Sequence, residues 1–591
     1  MKNTTMNRRT FLKVSAVAGS GLLVGCTFSS PKLLSTPQAS EAELGFWVRI
    51  DTDDTVTLIL PASEMGQQAH TGQAMLVAEE LEADWESIRV VTAPYHSEFI
   101  NPGADPRGIQ VTGGSASISF FWEKLRQVGA GTREMLIEAA AQKWGVPTSE
   151  CKAENGRIRH SGSGRSLSYG QLVIAAAKLS PPDSPALKTP DQFRLIGKSI
   201  PKLHTPIRIN GTAQYGIDIR RPGMLFAAVS QSPVFGGQIK SYDEAEARAV
   251  RGVEAVVPIP NGVAVVADST WHAMQGLEAL KPEFEGGESV GLDSTKVTAR
   301  LRAALDEMGK AEVTAEKVLD VEYEMPFLHH AAMEPMNCTA HVTADSCEIW
   351  APTQSQHECM ECAKDVTDLS EEQIRIHTVM LGGSFGRKQT RDYVEQALIV
   401  SKSMQKPVQV IWSREEDTQH GIYRPTSMSR YQVGLGRDGL PVQWESQIAQ
   451  PNLAAQFIPL AGWLDFDPMA VAGGVHDYGL FPDHFYKVEG VETDHTGVEL
   501  GVPIGPWRSP PNSLNVFYTE SVMDELAHLA GQEPLEYRLK FLGESPRHKA
   551  VLEQVAKQAG WGDPLPEGHG RGIAINDWFP LEEAKTVVAQ V

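Results

Sequence analysis

The sequence predicts an α+β protein built from several lobes, on three observations. Short β-branched runs are interspersed with amphipathic helical stretches in an irregular order, without the strict alternation of a doubly wound sheet. The stretch Leu179-Ser180-Pro181-Pro182-Asp183-Ser184-Pro185 is linker-like and marks a candidate boundary. The chain, at 591 residues, is long enough for about four domains. No short repeat of solenoid type is visible.

In order along the chain, the first elements form a hairpin. Phe46 to Ile50 and Thr55 to Leu60 are β-rich runs around the polar turn Asp51-Thr52-Asp53-Asp54. Phe121, Leu125, Val128, Thr132, Met135, Leu136 and Ala139 recur at helical spacing. That helix runs to Trp144 and stops at Gly145-Val146-Pro147. These elements belong to a first segment, 44–200. Beyond it, Met224 to Val229, Val253 to Val257 and Val263 to Ala267 are strand candidates of a small α+β unit over 205–290. A third region, 310–591, has strands at Glu348-Ile349-Trp350 and Val408 to Trp412. Its helices cover Tyr393 to Ser401, Thr519 to Ala530 and Lys549 to Gln558.

Composition narrows the class. Hydrophobic residues make up 41% and charged residues 21%, which fits a globular protein and excludes disorder, collagen and coiled coil. The net charge of −21 repels phosphate backbones, and no basic stripe offsets it, so nucleic acid is not an expected partner. Six cysteines are too few for a disulfide scaffold.

Residues 1–43 read as an address. Arg8-Arg9 precede an apolar stretch, Val14 to Gly25, that is too short to span a bilayer. Twin arginines point to the route that exports folded proteins, and hence to the periplasm. Leu23-Val24-Gly25-Cys26 also fits a bacterial lipobox, with Cys26 lipidated as a membrane anchor. The other reading is a chance cysteine within the signal. Ser29 to Ala42 reads as a polar tether.

Three glycine turns carry the chemistry. Leu381-Gly382-Gly383-Ser384-Phe385-Gly386-Arg387-Lys388 follows a β-like run, Gln373 to Met380, and precedes a helix. Glycines there let backbone N–H groups approach a phosphate. A P-loop is excluded because Arg387 breaks the Gly-Lys-Ser/Thr pattern. Gly382-x-Ser384-x-Gly386 matches the nucleophile elbow of serine hydrolases, and a plain tight turn is the third reading. Glu64-Met65-Gly66-Gln67-Gln68 opens an amphipathic helix, and a Gln there can donate to an oxo or phosphate oxygen. Thr112-Gly113-Gly114-Ser115 is the third turn.

Other clusters are weaker. His357, Cys359 and Cys362 could join Cys338 or Cys347 on a metal, but the spacing is irregular and burial of small apolar residues is the default. In Pro503-Ile504-Gly505-Pro506-Trp507-Arg508, an Arg beside an aromatic can clamp a phosphate or an oxyanion, or sit in a surface ion pair.

Together and in this order these motifs resemble the molybdenum-binding large subunit of the xanthine oxidase family, and within it the isoquinoline 1-oxidoreductase β-subunit group. The resemblance runs from about Leu44 to Phe579. It includes Tyr215-Gly216-Ile217-Asp218, Met333-Glu334-Pro335-Met336-Asn337-Cys338, Trp412 to Asp417 and Tyr423-Arg424-Pro425. It implies a hammerhead domain at 205–290 and a multi-lobed molybdopterin-binding domain, incomplete at its carboxyl end. It implies a molybdopterin cytosine dinucleotide cofactor, held through its dithiolene sulfurs rather than by protein metal ligands. By match, Gln67 would lie near the apical oxo group. Gly66, Gly113, Gly114, Ser115, Gly382, Gly383, Ser384, Phe385, Gly386 and Arg387 would line the cofactor. Arg508 would face the substrate and Trp507 would stack on it.

The implied reaction hydroxylates an N-heterocycle or an aldehyde with oxygen from water. Electrons would pass to a separate 2Fe–2S subunit, with a cytochrome c as acceptor beyond it. Ser384 and Gln68 depart from family glycines, and Ser384 loses its nucleophile reading. The family's base Glu lies in a Gly-x-Gly-Glu segment well beyond Trp561-Gly562, and no residue up to Val591 fills that place. Two other functions therefore stand beside the hydroxylase: a non-catalytic exported scaffold or binding subunit, and a GxSxG hydrolase.

Overall fold

The computed structural model describes residues 13–17, 21–25, 46–101, 108–454, 467–471, 485–510, 512–578 and 586–590. The first lobe is a five-stranded sheet in the order β1 (Lys13–Val17), β2 (Gly21–Gly25), β3 (Phe46–Asp51), β4 (Val56–Leu60) and β5 (Ile88–Thr92). Strands β3 and β4 are the hairpin read from the sequence. Strand β5 runs parallel to β4, so the chain must cross over, and it does so through helix α1 (Ala69–Leu81). The apolar stretch read as the core of an export signal lies here as a hairpin, with β2 antiparallel to β3. Its second run pairs with the otherwise open edge of β3, and the first pairs with the second.

Helix α2 (Trp122–Trp144) packs against α1 at Gly129, where a Cβ would collide with the Val77 carbonyl oxygen. It ends at Gly145, left-handed at φ 67°, as the Gly-Val-Pro signal requires. A small antiparallel sheet of β6 (Cys151–Glu154), β7 (Arg157–His160) and β8 (Ser166–Ser168) completes the lobe.

The linker-like stretch leads into a strap bound along α1. Buried Glu79 accepts the amides of Arg194, Leu195 and Ile196 at 2.8, 2.6 and 3.1 Å through one oxygen. Its other oxygen takes Lys188 Nζ at 2.6 Å. Burial pushes the Glu79 carboxyl up, but these donors outweigh it and hold it below its usual range. Glu80 beside it binds Arg126 at 2.7 Å and the Lys188 amide.

The chain then lays down β9 (Leu225–Gln231), β10 (Gln238–Ser241), β11 (Val253–Ile259), β12 (Gly262–Ala267) and β13 (Glu283–Glu285). After them come β14 (Lys317–Met325), β15 (Asn337–Val342), β16 (Cys347–Ala351), β17 (Ile374–Thr378) and β18 (Val408–Ile411). Seven of these form one sheet, ordered β11-β12-β9-β18-β15-β16-β17. Strand β9 runs parallel to β18, so hydrogen bonding continues from the 205–290 segment into the region beyond 310. One core joins them, with Val229 and Val266 beside Cys338, Val410 and Trp412. Helices α3 (Gln356–Thr367) and α4 (Asp392–Met404) contribute to that core.

The last sheet is ordered β14-β19-β20-β21, with β19 (Ser427–Leu435), β20 (Pro441–Gln450) and β21 (Val491–Gly497). Every residue of β19 is buried. The helix Ser294–Met308 packs with Met428, while α5 (Asn512–Leu529) packs with Tyr431 and Val433. The hairpin β22 (Ala574–Trp578) and β23 (Thr586–Gln590) closes the described chain. Among the described residues no helix is long and apolar enough to cross a membrane.

Candidate cofactor-binding site

The three glycine turns meet where the first lobe joins the seven-stranded sheet. Ser63 donates its amide to Thr112 Oγ1 at 2.8 Å, and Leu381 donates its own to the Glu64 carbonyl at 3.0 Å.

The first turn is folded around a carboxylate. Glu64 is 2% exposed and accepts the amides of Gly66, Gln68 and His70 at 2.9, 3.3 and 3.2 Å. Arg208, from the end of the strap, adds a guanidinium at 3.0 Å. Gly66 and Gln68 both take positive φ, 106° and 70°, to bring these amides round. His70 Nε2 meets the Ala62 carbonyl at 2.8 Å, so it must carry the hydrogen, and Nδ1 accepts from His204 Nε2 at 2.9 Å. Burial pushes His70 down to about 4. Gln67 stands exposed on this turn. Its amide bends back over its own turn, donating to Ser63 O at 2.9 Å and accepting from the Met65 amide at 2.8 Å.

Gln354 ties the second turn to the third. It is 4% exposed. Its main chain accepts the Thr112 amide at 2.7 Å, and its Nε2 donates to the Thr112 carbonyl at 2.7 Å. Its Oε1 accepts from Ser384 Oγ and, at 3.0 Å, from the Gly386 amide. Nothing in the sequence reading singled out Gln354. The available signal was a polar run, Thr353-Gln354-Ser355, placed between an apolar strand and a helix start.

The third turn is held from both ends. Glu334 accepts the Gly382 amide at 2.8 Å and Lys388 Nζ at 2.7 Å, both buried. Burial pushes the Lys388 ammonium below its usual range despite that partner. Gly383, Phe385 and Gly386 have φ of 92°, 59° and 108°. A Cβ on Gly386 would overlap the Pro506 carbonyl oxygen. The main-chain amides of Gly383, Ser384, Phe385, Gly113, Gly114 and Ser115 meet no acceptor among the described residues. Six such donors on fixed turns form a cradle for an anionic or acceptor-rich ligand.

Phe385, Trp507 and Arg508 adjoin it. The Arg508 amide donates to the Phe385 carbonyl at 2.8 Å, and its exposed guanidinium stands 5.9 Å from the Phe385 ring. Trp507 is half-buried, and its Nε1 has no partner among the described residues.

Two side chains do not behave as the sequence suggested. Arg387, expected to line the cofactor, is 1% exposed and turned inward. It pairs with Asp392 at 2.9 and 2.6 Å and with Thr390 at 2.7 Å, bracing the loop to the start of α4. Ser384 lends its amide to the cradle, but its hydroxyl is fully buried between Gln354 Oε1 and the Lys388 amide. Among the described residues no histidine bonds it, which removes the geometric basis for the hydrolase reading there. His357 turns toward Tyr95 at 3.5 Å, while Cys359 and Cys362 are buried in the core. Among the described residues no group of three His, Cys, Asp or Glu is placed to hold a metal.

Two models of the molybdopterin cofactor-binding domain match the chain, over residues 294–542 and 4–217. The chain belongs to the xanthine oxidase family of molybdopterin-binding oxidoreductases. Among relatives, the isoquinoline 1-oxidoreductase subunit beta of Brevundimonas diminuta is 28% identical over 89% of this chain and 74% of its own length. The membrane-bound aldehyde dehydrogenase of Gluconacetobacter polyoxogenes is 28% identical over 97% of this chain and 79% of its own. That name specifies pyrroloquinoline quinone, whereas both domain models matched here are molybdopterin-binding. The solved quinoline 2-oxidoreductase of Pseudomonas putida 86 aligns at 18% identity and TM-score 0.48 over 62% of this chain. The chain spans 54% of that protein's length. A molybdopterin fits the cradle chemically, since its phosphates and pterin carbonyls are acceptors and the turns offer main-chain donors.

Proposed function

We propose that this chain is the large subunit of a molybdenum hydroxylase that binds molybdopterin as the cytosine dinucleotide. The observation that carries this reading is the joining of three glycine turns, two of which hold main-chain amides that meet no acceptor among the described residues. Gly383, Ser384, Phe385, Gly113, Gly114 and Ser115 would hold the cofactor through main-chain N–H groups. Gln67 would meet its oxo side after releasing the Ser63 carbonyl. When bound, the group supplies two-electron oxidation of a carbon with oxygen from water.

The protein's own part is recognition and positioning. Trp507 and Phe385 offer aromatic faces and Arg508 a guanidinium to a planar N-heterocycle or an aldehyde. Substrates of both kinds appear in the names of relatives. Electrons would leave to a small 2Fe–2S subunit, in keeping with a relative named as a beta subunit, and then to a cytochrome c. Arg8-Arg9 and Cys26 support export by the twin-arginine route to the periplasm, with lipid anchoring at Cys26. Cys26 lies outside the described residues.

The test is metal and nucleotide analysis of the chain purified with its small subunit from a molybdenum-sufficient host. Molybdenum and cytidine monophosphate released in equal amounts are the expected result. Folded complex containing neither would overturn the proposal.

A further inference from the structure

Behind the contact between the 382–387 loop and the 503–508 loop lies a group of buried polar side chains that cofactor binding does not use. His330 Nε2 bonds the Pro506 carbonyl at 3.1 Å, and its Nδ1 has no partner. His329 faces the other way, with Nε2 3.5 Å from Asp417 Oδ2 and no hydrogen bond. Asp417 is 1% exposed. Its Oδ2 is held by Arg414 Nη1 at 2.8 Å, while its Oδ1 is unpartnered. A Cβ at Gly421 would stand 2.7 Å from the Asp417 carbonyl oxygen and 3.7 Å from both Arg387 Nε and His329 Cδ2, so both side chains flank the same glycine. Arg387 Nε also lacks a partner.

Buried donors and acceptors left unpaired on three segments are the conditions under which buried water is retained. An ion is a poorer fit, because Asp417 and Arg387 carry opposite charges. We propose that ordered water bridges these unpaired groups and that His329, backed by Asp417, relays protons from the loop junction to solvent. The proposal rests on the hydroxylase reading. In that reaction R–H and H2O give R–OH, two electrons and two protons. The electrons pass to the iron–sulfur partner, so the protons need their own exit.

In the relay step the water takes up a proton released at the loop junction and passes one of its own to His329 Nε2, so that one O–H bond forms as another breaks and the water stays neutral. The Asp417 carboxylate stabilises the imidazolium, and the 14% of the His329 side chain that is exposed gives the proton to bulk water. Asp417, with Arg414 paired to it, and His330 lie beside the ring, and Arg387 stands across Gly421; Lys388 and Tyr423 face Asp417 and Arg387. Burial pushes His330 down to about 4.

Two measurements on the full chain with its small subunit test this. A high-resolution crystal structure should show water within hydrogen-bond distance of both Asp417 Oδ1 and His329 Nε2; its absence overturns the proposal. Stopped-flow proton release, read with a pH indicator during a single turnover, should slow about tenfold or more in His329→Ala. Added imidazole should restore it. Asp417→Asn is the second variant should His329→Ala fold poorly. Proton release and solvent isotope effect unchanged in a variant with normal molybdenum content would overturn the relay. Absence of molybdenum from the wild type would instead overturn the hydroxylase reading, while the crystal structure still decides whether the water is there.

Discussion

Replacing Gln354 by Leu keeps side-chain volume and removes the bridge between two of the three turns. The Thr112 carbonyl loses a donor at 2.7 Å, the Gly386 amide loses an acceptor at 3.0 Å, and the Ser384 hydroxyl loses its acceptor. All three lie at a side chain that is 4% exposed. A buried polar group left unpaired costs about 1–3 kcal/mol. At the low end the three together cost about 3 kcal/mol, which is roughly a 100-fold change in a local opening equilibrium. The assay is hydrogen–deuterium exchange with mass spectrometry on peptides covering 381–389 and 111–116. Both should exchange roughly 100-fold faster in Gln354→Leu, and the purified complex should lose molybdenum. The main-chain bond from the Thr112 amide to the Gln354 carbonyl survives the change, so global unfolding is not expected. Exchange within about threefold of wild type in both peptides would show that Gln354 does not couple the turns.

Further outcomes follow from the same geometry. Gly386→Ala forces a Cβ onto the Pro506 carbonyl and strains a φ of 108°, so it should abolish molybdenum retention while the distant β22–β23 hairpin keeps its exchange protection. Lys388→Met leaves the buried Glu334 carboxylate without its counter-charge, held only by the Gly382 and Ile217 amides, at a cost of about 3–5 kcal/mol, whereas Lys388→Met with Glu334→Leu should recover much of that in thermal unfolding. His70 and His330 are pushed down to about 4 from an ordinary value near 6.5. Between those values the unfolded chain binds protons that the folded chain does not. Stability is therefore full above about 6.5 and falls as pH falls toward about 4. The unfolding midpoint should drop between pH 7 and pH 5, less steeply in His70→Gln, and a flat profile would contradict the burial argument. Burial pushes the Cys347 and Cys359 thiols up to about 12. They should react with a thiol reagent only after denaturation.

The local elements and their punctuation were legible in the sequence. The hairpin at 46–60, the long helix ending at Gly145 and the glycine turns all follow from hydrophobic period and from residues that tolerate positive φ. The motifs were dense enough to indicate the family, and the domain models agree. Pairings between distant segments were not legible. No local pattern says that β9 continues its sheet through β18, because parallel neighbours are chosen by burial of both faces. Nor does any pattern show that the stretch after Pro185 is fastened to Glu79 and Glu80, whose helix reads simply as amphipathic.

At the site, sequence determined which backbone could bend: Gly66, Gly113, Gly114, Gly383 and Gly386. Tertiary structure decided what each side chain faces. Arg387 looks like an anion ligand beside a glycine loop, yet Asp392 draws it inward because a buried guanidinium requires a carboxylate. Ser384 looks like a nucleophile, yet Gln354 and Lys388 bury its hydroxyl. Gln354 looks like an unremarked polar residue, yet it joins turns 242 and 32 residues away in sequence. Backbone freedom is a local property, set by the presence or absence of a Cβ. Hydrogen-bond partners are a property of the packed whole, because a buried polar group is satisfied by whatever the fold brings against it.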